Sequence, residues 1–141
     1  MAHWSDRYIG RAYVEGEFDC GDLAALVRRE VFGRELRLPS DHGEGPLGRT
    51  AAIQRHIAAY VMPTDRPQDG DGVLLIVRGR VQHIGLYCQI GTTAWVLHNQ
   101  APRKEDGDAK APSQCGGGVI LTRLRELARW GYEVEGFYRW I

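Results

Sequence analysis

The feature that most constrains the fold is a change of hydrophobic period partway along the chain. In CGDLAALVRREVFG the apolar residues Leu23, Leu26, Val27 and Val31 recur at helical spacing, as one buried face of a 3.6-residue turn requires. Gly33 then serves as a C-terminal stop, so a helix is expected from Cys20 to Phe32. After DGDG at 69–72 the pattern is that of strands. Val73 to Val77 is a continuous apolar run, as in a strand covered on both faces. Val81 to Ile90 and Thr93 to Gln100 alternate on either side of Gly91-Thr92, so the three runs read as an antiparallel meander. Helices followed by strands make an α+β domain the expected class.

The remaining segments fit around that frame. Thr50 looks like an N-cap, and Ile53, Ile57, Tyr60 and Val61 form a second helical stripe that Pro63 and Pro67 end. PSDHGEGPLGR at 39–49 and APRKEDGDAKAPSQCGGG at 101–118 are loops by composition. Val119 to Leu121 reads as a short strand, Thr122 to Trp130 as a short helix closed by Gly131, and Tyr132 to Trp140 as a last strand. The 141 residues show no repeat. They form one expected domain, residues 1–141, long enough to bury a core without metal or disulfides.

Composition removes several function classes. Lys+Arg and Asp+Glu are both 18, so no basic excess announces a nucleic-acid partner. No apolar stretch has the length of a membrane span, and no membrane partner is expected. The start, MAHWSDRYIG, lacks the apolar core of a secretory leader, so cytoplasmic synthesis is expected. Three cysteines, Cys20, Cys88 and Cys115, are an odd number without an export signal, which argues against a disulfide framework.

The chemistry gathers around Cys20. A helix N-terminus carries partial positive charge and unpaired N–H groups. A thiolate is stabilised there, and the same N–H groups can receive an oxyanion formed beside the sulfur. Asp19 or Asp22 would cap the first turn, and Gly21 allows a substrate close to the backbone. A buried cysteine acting as a small apolar residue is the bland alternative.

A base comes from the strands. Alternation places Val81, His83, Gly85 and Tyr87 on one face, and Ile84, Leu86, Cys88 and Ile90 on an apolar one, so Cys88 is expected in the core. If Gly91-Thr92 is a two-residue turn, Gly85 pairs with His98. His98 then shares the polar face with His83 as its diagonal neighbour. A nucleophile, a base and an orienter result: Cys20, His83 and His98. Asn99 and Gln100 are fallback orienters. A zinc site is the rival reading, but Cys20, His83 and His98 match no compact zinc spacing, and no cofactor is expected. Cys115 lies in the second loop, and His3, His42 and His56 have no evident partner.

RYIGRAYVEGEFDCGDLAALVRREVFG resembles the nucleophile segment of the NlpC-type cell-wall peptidases, papain-like cysteine hydrolases of bacterial peptidoglycan. The matching residues are Tyr13, Phe18, Asp19 and Cys20. QDGDGVLLI resembles that family's lead-in to its central sheet, VQHIGLY its base-bearing strand, and WVLHNQ the strand carrying its third polar residue. The resemblance implies a papain-like fold, with N-terminal helices carrying the nucleophile on a central antiparallel sheet. It implies hydrolysis of stem-peptide amide bonds, usually between D-glutamate and the diamino acid, by a Cys20–His83–His98 triad. Tyr13, Asp19, Gly21 and Gly85 would line the oxyanion and substrate region. FG and LP after the first helix, and Tyr-Arg near the end, look most like the branch found in phage tails. That implies action at the host wall and tail proteins as partners. Asp22 departs from the glycine or alanine that relatives often carry, and the Tyr13–Cys20 gap is short.

Overall fold

The computed structural model describes residues 2–14, 17–35, 59–77, 79, 81–101 and 117–141. Their elements are a helix, α1 (Cys20–Glu30), and strands β1 (Val61–Thr64), β2 (Gly72–Val77), β3 (Val81–Ile90), β4 (Thr93–Gln100), β5 (Gly118–Arg123) and β6 (Tyr132–Trp140). Short 3-10 helices span Trp4–Arg7 and Leu124–Trp130. The class is therefore α+β, as the two hydrophobic periods require.

The strands form one six-stranded sheet in the order β1-β6-β2-β3-β4-β5, every neighbouring pair antiparallel. The meander β2-β3-β4 lies inside it, so its strands have neighbours on both sides. Ile90 pairs with Thr93 and Gly85 with His98. Gly91 takes a φ of 61°, the positive value that the first position of such a hairpin turn needs.

Both faces of the meander are buried. Cys20, Leu23, Ala24 and Val27 of α1 share a cluster with Leu74, Ile84, Leu86, Cys88, Leu97 and Val119. On the other face Val73, Leu75, Tyr87 and Val96 meet Leu127 of the second 3-10 helix and Tyr132. Full burial of such aliphatic side chains contributes roughly 1.5–3 kcal/mol each. The face holding His83 and His98 is thus a second core, where alternation alone predicts a polar surface. The cause is the chain after β5, which folds back over that face.

Several boundaries differ from the sequence expectation, α1 ending at Glu30 and not Phe32 among them. Val61 opens β1 and does not close a helix. β1 pairs only with β6 in the strand order, and an edge strand tolerates Pro63 because its missing N–H need not join a ladder. The expected second helix otherwise falls on residues outside those described, as do the 39–49 loop and most of the 101–118 loop. Gly118 and Thr122 belong to β5, whose pairing with β4 runs from Gly118 to Arg123. The helix then starts at Leu124 and ends at Gly131, whose φ of 84° forms the left-handed cap.

A polar anchor and a close backbone contact fix the lead-in to β2. Asp69 accepts hydrogen bonds from Trp4 Nε1 at 2.7 Å and the Gln89 N–H at 2.9 Å. It also lies 3.0 Å from His3 Nε2, which gives His3 the partner the sequence did not reveal. Gly70 has a φ of 92°, and a Cβ there would sit 2.3 Å from the Phe32 ring. Only glycine fits that contact.

Candidate active site

Cys20 is the first residue of α1, and its position is set by a capping box. The Asp19 carboxylate accepts from the Gly21 and Asp22 N–H groups at 3.0 and 3.2 Å. The Asp22 carboxylate accepts from the Asp19 N–H at 2.9 Å. Both aspartates therefore cap the turn, which resolves the choice the sequence left between them and gives the departure at Asp22 a local reason. The box also uses the Gly21 and Asp22 donors, so these two N–H groups are engaged before any substrate arrives.

The segment before the helix is gripped from the sheet. Asn99 donates from Nδ2 to the carbonyl oxygens of Phe18 and Asp19, at 2.9 and 3.1 Å. Val14 and Phe18 form an isolated antiparallel bridge, with half-buried Tyr13 just ahead of it. The chain thus turns back on itself before entering α1.

The two histidines meet as the hairpin register requires. His83 Nε2 and His98 Nδ1 lie 3.1 Å apart, with ring planes at 82°. His98 Nε2 lies 3.1 Å from Thr122 Oγ1, so a line of polar contacts crosses from β3 through β4 to β5. Tyr132 stacks on His83 at 25° with centroids 5.9 Å apart, and meets His98 edge-on at 5.0 Å. His83 is 8% exposed and His98 is 0% exposed, so water is largely excluded from the pair. Gly85 lies opposite His98, and a Cβ there would come 2.5 Å from a Val96 methyl and 3.4 Å from His98 Cβ. Its lack of a side chain lets Val96 pack against β3.

Cys20, 4% exposed, belongs to the cluster under α1. The histidine rings pack with Tyr132 of the cluster on the other face. Asn99 and His98 are adjacent, so one stretch of β4 touches the approach to Cys20 with one side chain and His83 with the next. Of the fallback orienters, Asn99 serves the approach segment, and Gln100 ends β4 opposite Gly118.

Cys88 is fully buried in the α1 cluster. Burial first, and the Asp69 charge second, push its thiol well above the ordinary range, so it is held as an unreactive thiol. Thr122 and Tyr132 are site residues that sequence reasoning missed. Both lie beyond residues 101–118, so their register to β4 cannot be counted from a short hairpin turn. Among the described residues no group of three or more His, Cys, Asp or Glu is placed to hold a metal ion, and no helix is long and apolar enough to cross a membrane. Comparison of the chain with protein-family models, with curated proteins and with solved structures gives no match.

Proposed function

We propose that this chain is a papain-like cysteine hydrolase that cleaves amide bonds in peptidoglycan stem peptides, working at the cell wall as part of a phage tail or a phage-like particle. The observation that carries the reading is the buried His83–His98 pair, 3.1 Å between ring nitrogens. A capped helix beginning at Cys20 supports it from the other side. A base with an orienting partner and a thiol at a helix N-terminus are the two halves of nucleophilic catalysis. The resemblance of RYIGRAYVEGEFDC and VQHIGLY to the NlpC-type peptidases supplies the substrate class.

In this reading His83 takes the Cys20 thiol proton, giving a thiolate and an imidazolium. The thiolate attacks the amide carbonyl. The Cys20 N–H and the Tyr13 hydroxyl stabilise the oxyanion, an effect of about 3–4 kcal/mol on the barrier. His83 returns the proton to the leaving amine, and water then hydrolyses the thioester. The decisive experiment is Cys20→Ala on purified muropeptides of defined stem sequence. Cleavage is expected to vanish while circular dichroism stays unchanged, and a variant as fast as the parent would end the assignment.

A second reading has its own observation. The burial of both rings, His83 at 8% and His98 at 0% exposure, favours a tail or assembly component that keeps the fold for binding. A wild-type chain inert on the whole muropeptide panel and on intact sacculi would select it. Cleavage of a different amide by the same thiol would mark a papain-like amidase of another substrate class.

A further inference from the structure

We infer that Thr122 fixes the tautomer of the His83–His98 pair by accepting a hydrogen bond from His98 Nε2. It is thereby a positioning residue for His83; this catalytic consequence rests on the hydrolase reading above.

The inference starts from proton counting along the line of contacts. His83 Nε2, His98 Nδ1, His98 Nε2 and Thr122 Oγ1 make two successive 3.1 Å contacts. Each contact holds one proton, and a neutral imidazole carries one N–H and one acceptor nitrogen. Two directions are therefore available to neutral rings. In one, Thr122 donates to His98 Nε2, His98 donates from Nδ1, and His83 is left with its proton on Nδ1. That form of His83 has no nitrogen able to take a proton. In the other, His83 donates from Nε2 and His98 donates from Nε2 to Thr122, so His83 Nδ1 is the basic atom. A hydroxyl can act in either sense, and the chemistry selects between them. Once His83 is an imidazolium, both its nitrogens carry protons. His98 Nδ1 must then accept, a neutral His98 must carry its proton on Nε2, and Thr122 must accept in turn. Only the second direction needs no reversal when His83 takes up a proton.

The fold makes Thr122 suited to this role. It stands opposite Val96 in the β4–β5 register, two residues along β4 from His98, so both side chains leave the same face. Its side chain is β-branched and stiff at χ1, and the residue is buried. The hydroxyl is thus held at a fixed point behind the second ring, where water has little access.

Long-range proton–nitrogen NMR at neutral pH on histidine-labelled protein tests this directly. Wild-type His98 is expected to carry its proton on Nε2, with Nδ1 unprotonated. In Thr122→Val the Nε2 proton loses its acceptor, and a mixture of both tautomers is expected. Thr122→Ser should restore the single wild-type form. With muropeptide as substrate, Thr122→Val should lower kcat about tenfold or more with KM little changed, and Thr122→Ser should recover most of it. Wild-type His98 protonated on Nδ1 would overturn the inference, and that measurement stands even if the valine variant does not fold. A folded valine variant with wild-type tautomer and kcat would overturn it as well. The expected tautomers in a chain that cleaves no muropeptide would uphold Thr122 as the tautomer lock and reject the hydrolase reading instead.

Discussion

His83 and His98 face one another across the β3–β4 pairing, with 3.1 Å between Nε2 of the first and Nδ1 of the second. Gly85 stands opposite His98 in that pairing, and the space its Cβ would fill is taken by a Val96 methyl. Under the hydrolase reading the two rings should not be equivalent. His83→Ala removes the proton acceptor and is expected to lower kcat by about 10²–10⁴. His98→Asn keeps a group able to accept from His83 Nε2, so it should retain more activity than His98→Leu, which offers none. Steady-state rates on muropeptides check the order. Equal losses in the two His98 variants would show that orientation of His83 is not what His98 provides.

The cysteines should differ sharply toward iodoacetamide. Cys88 is buried, and its thiol is pushed up by loss of water and by Asp69, so almost no thiolate exists at neutral pH. Cys20, 4% exposed, is the first residue of a capped helix, the position that in general favours a thiolate. In a Cys115→Ser background, peptide mass mapping at pH 6–7 should find the label on Cys20 and little on Cys88. Preferential labelling of Cys88 would remove the basis for treating Cys20 as the nucleophile.

Stability should fall on the alkaline side. Tyr8, Tyr87 and Tyr138 all titrate above the usual phenol range, first because of burial and then through Glu30, Asp69 and Glu135 respectively. Cys88 is raised in the same sense. For each group the folded chain holds its proton more tightly than the unfolded chain does. That contribution is complete below the unfolded values, about 8.5 for a thiol and about 10 for a phenol. It is lost as pH rises above them. The urea midpoint should therefore be level up to about pH 8 and decline beyond it. Cys88→Ala should lessen the first part of the decline by removing its titration. A midpoint unchanged to about pH 11 would contradict the burial of these groups.

The elements most readable in the sequence are those whose register a short turn fixes. Gly91-Thr92 sets the β3–β4 pairing, and from it the meeting of His83 with His98 follows residue by residue. A cap at Cys20 was legible in Asp19 or Asp22, but that the two act together as a reciprocal capping box was not. The nature of the histidine face was not legible either. Alternation shows which residues share a face, but what covers that face depends on Leu127 and Tyr132, far along the chain from β3 and β4. Thr122 was missed for the same reason, because helical spacing from Thr122 to Trp130 competes with strand pairing until β4 is in place. Asn99 read as a substitute orienter because its grip on the Phe18 and Asp19 carbonyls joins segments 80 or more residues apart.

That grip yields the last prediction. Asn99 is fully buried, and its two donated bonds end on carbonyls immediately before α1. Asn99→Leu nearly preserves side-chain size but removes both donors, leaving two backbone acceptors without their sheet partner. A cost of about 1–3 kcal/mol in unfolding free energy is expected. Asn99→Asp should cost at least as much, because an ionised carboxylate would face two carbonyl oxygens and repel them. Asn99→Gln is not a rescue, since an added methylene overfills a closed site. Urea unfolding measures the stability, and hydrogen exchange at residues 17–22 reports whether the approach segment loosens. If the approach segment positions the thiol, the labelling rate of Cys20 should change in Asn99→Leu while that of Cys88 does not. A leucine variant as stable as the parent, with unchanged exchange and labelling, would show that the approach to Cys20 holds its shape without the sheet.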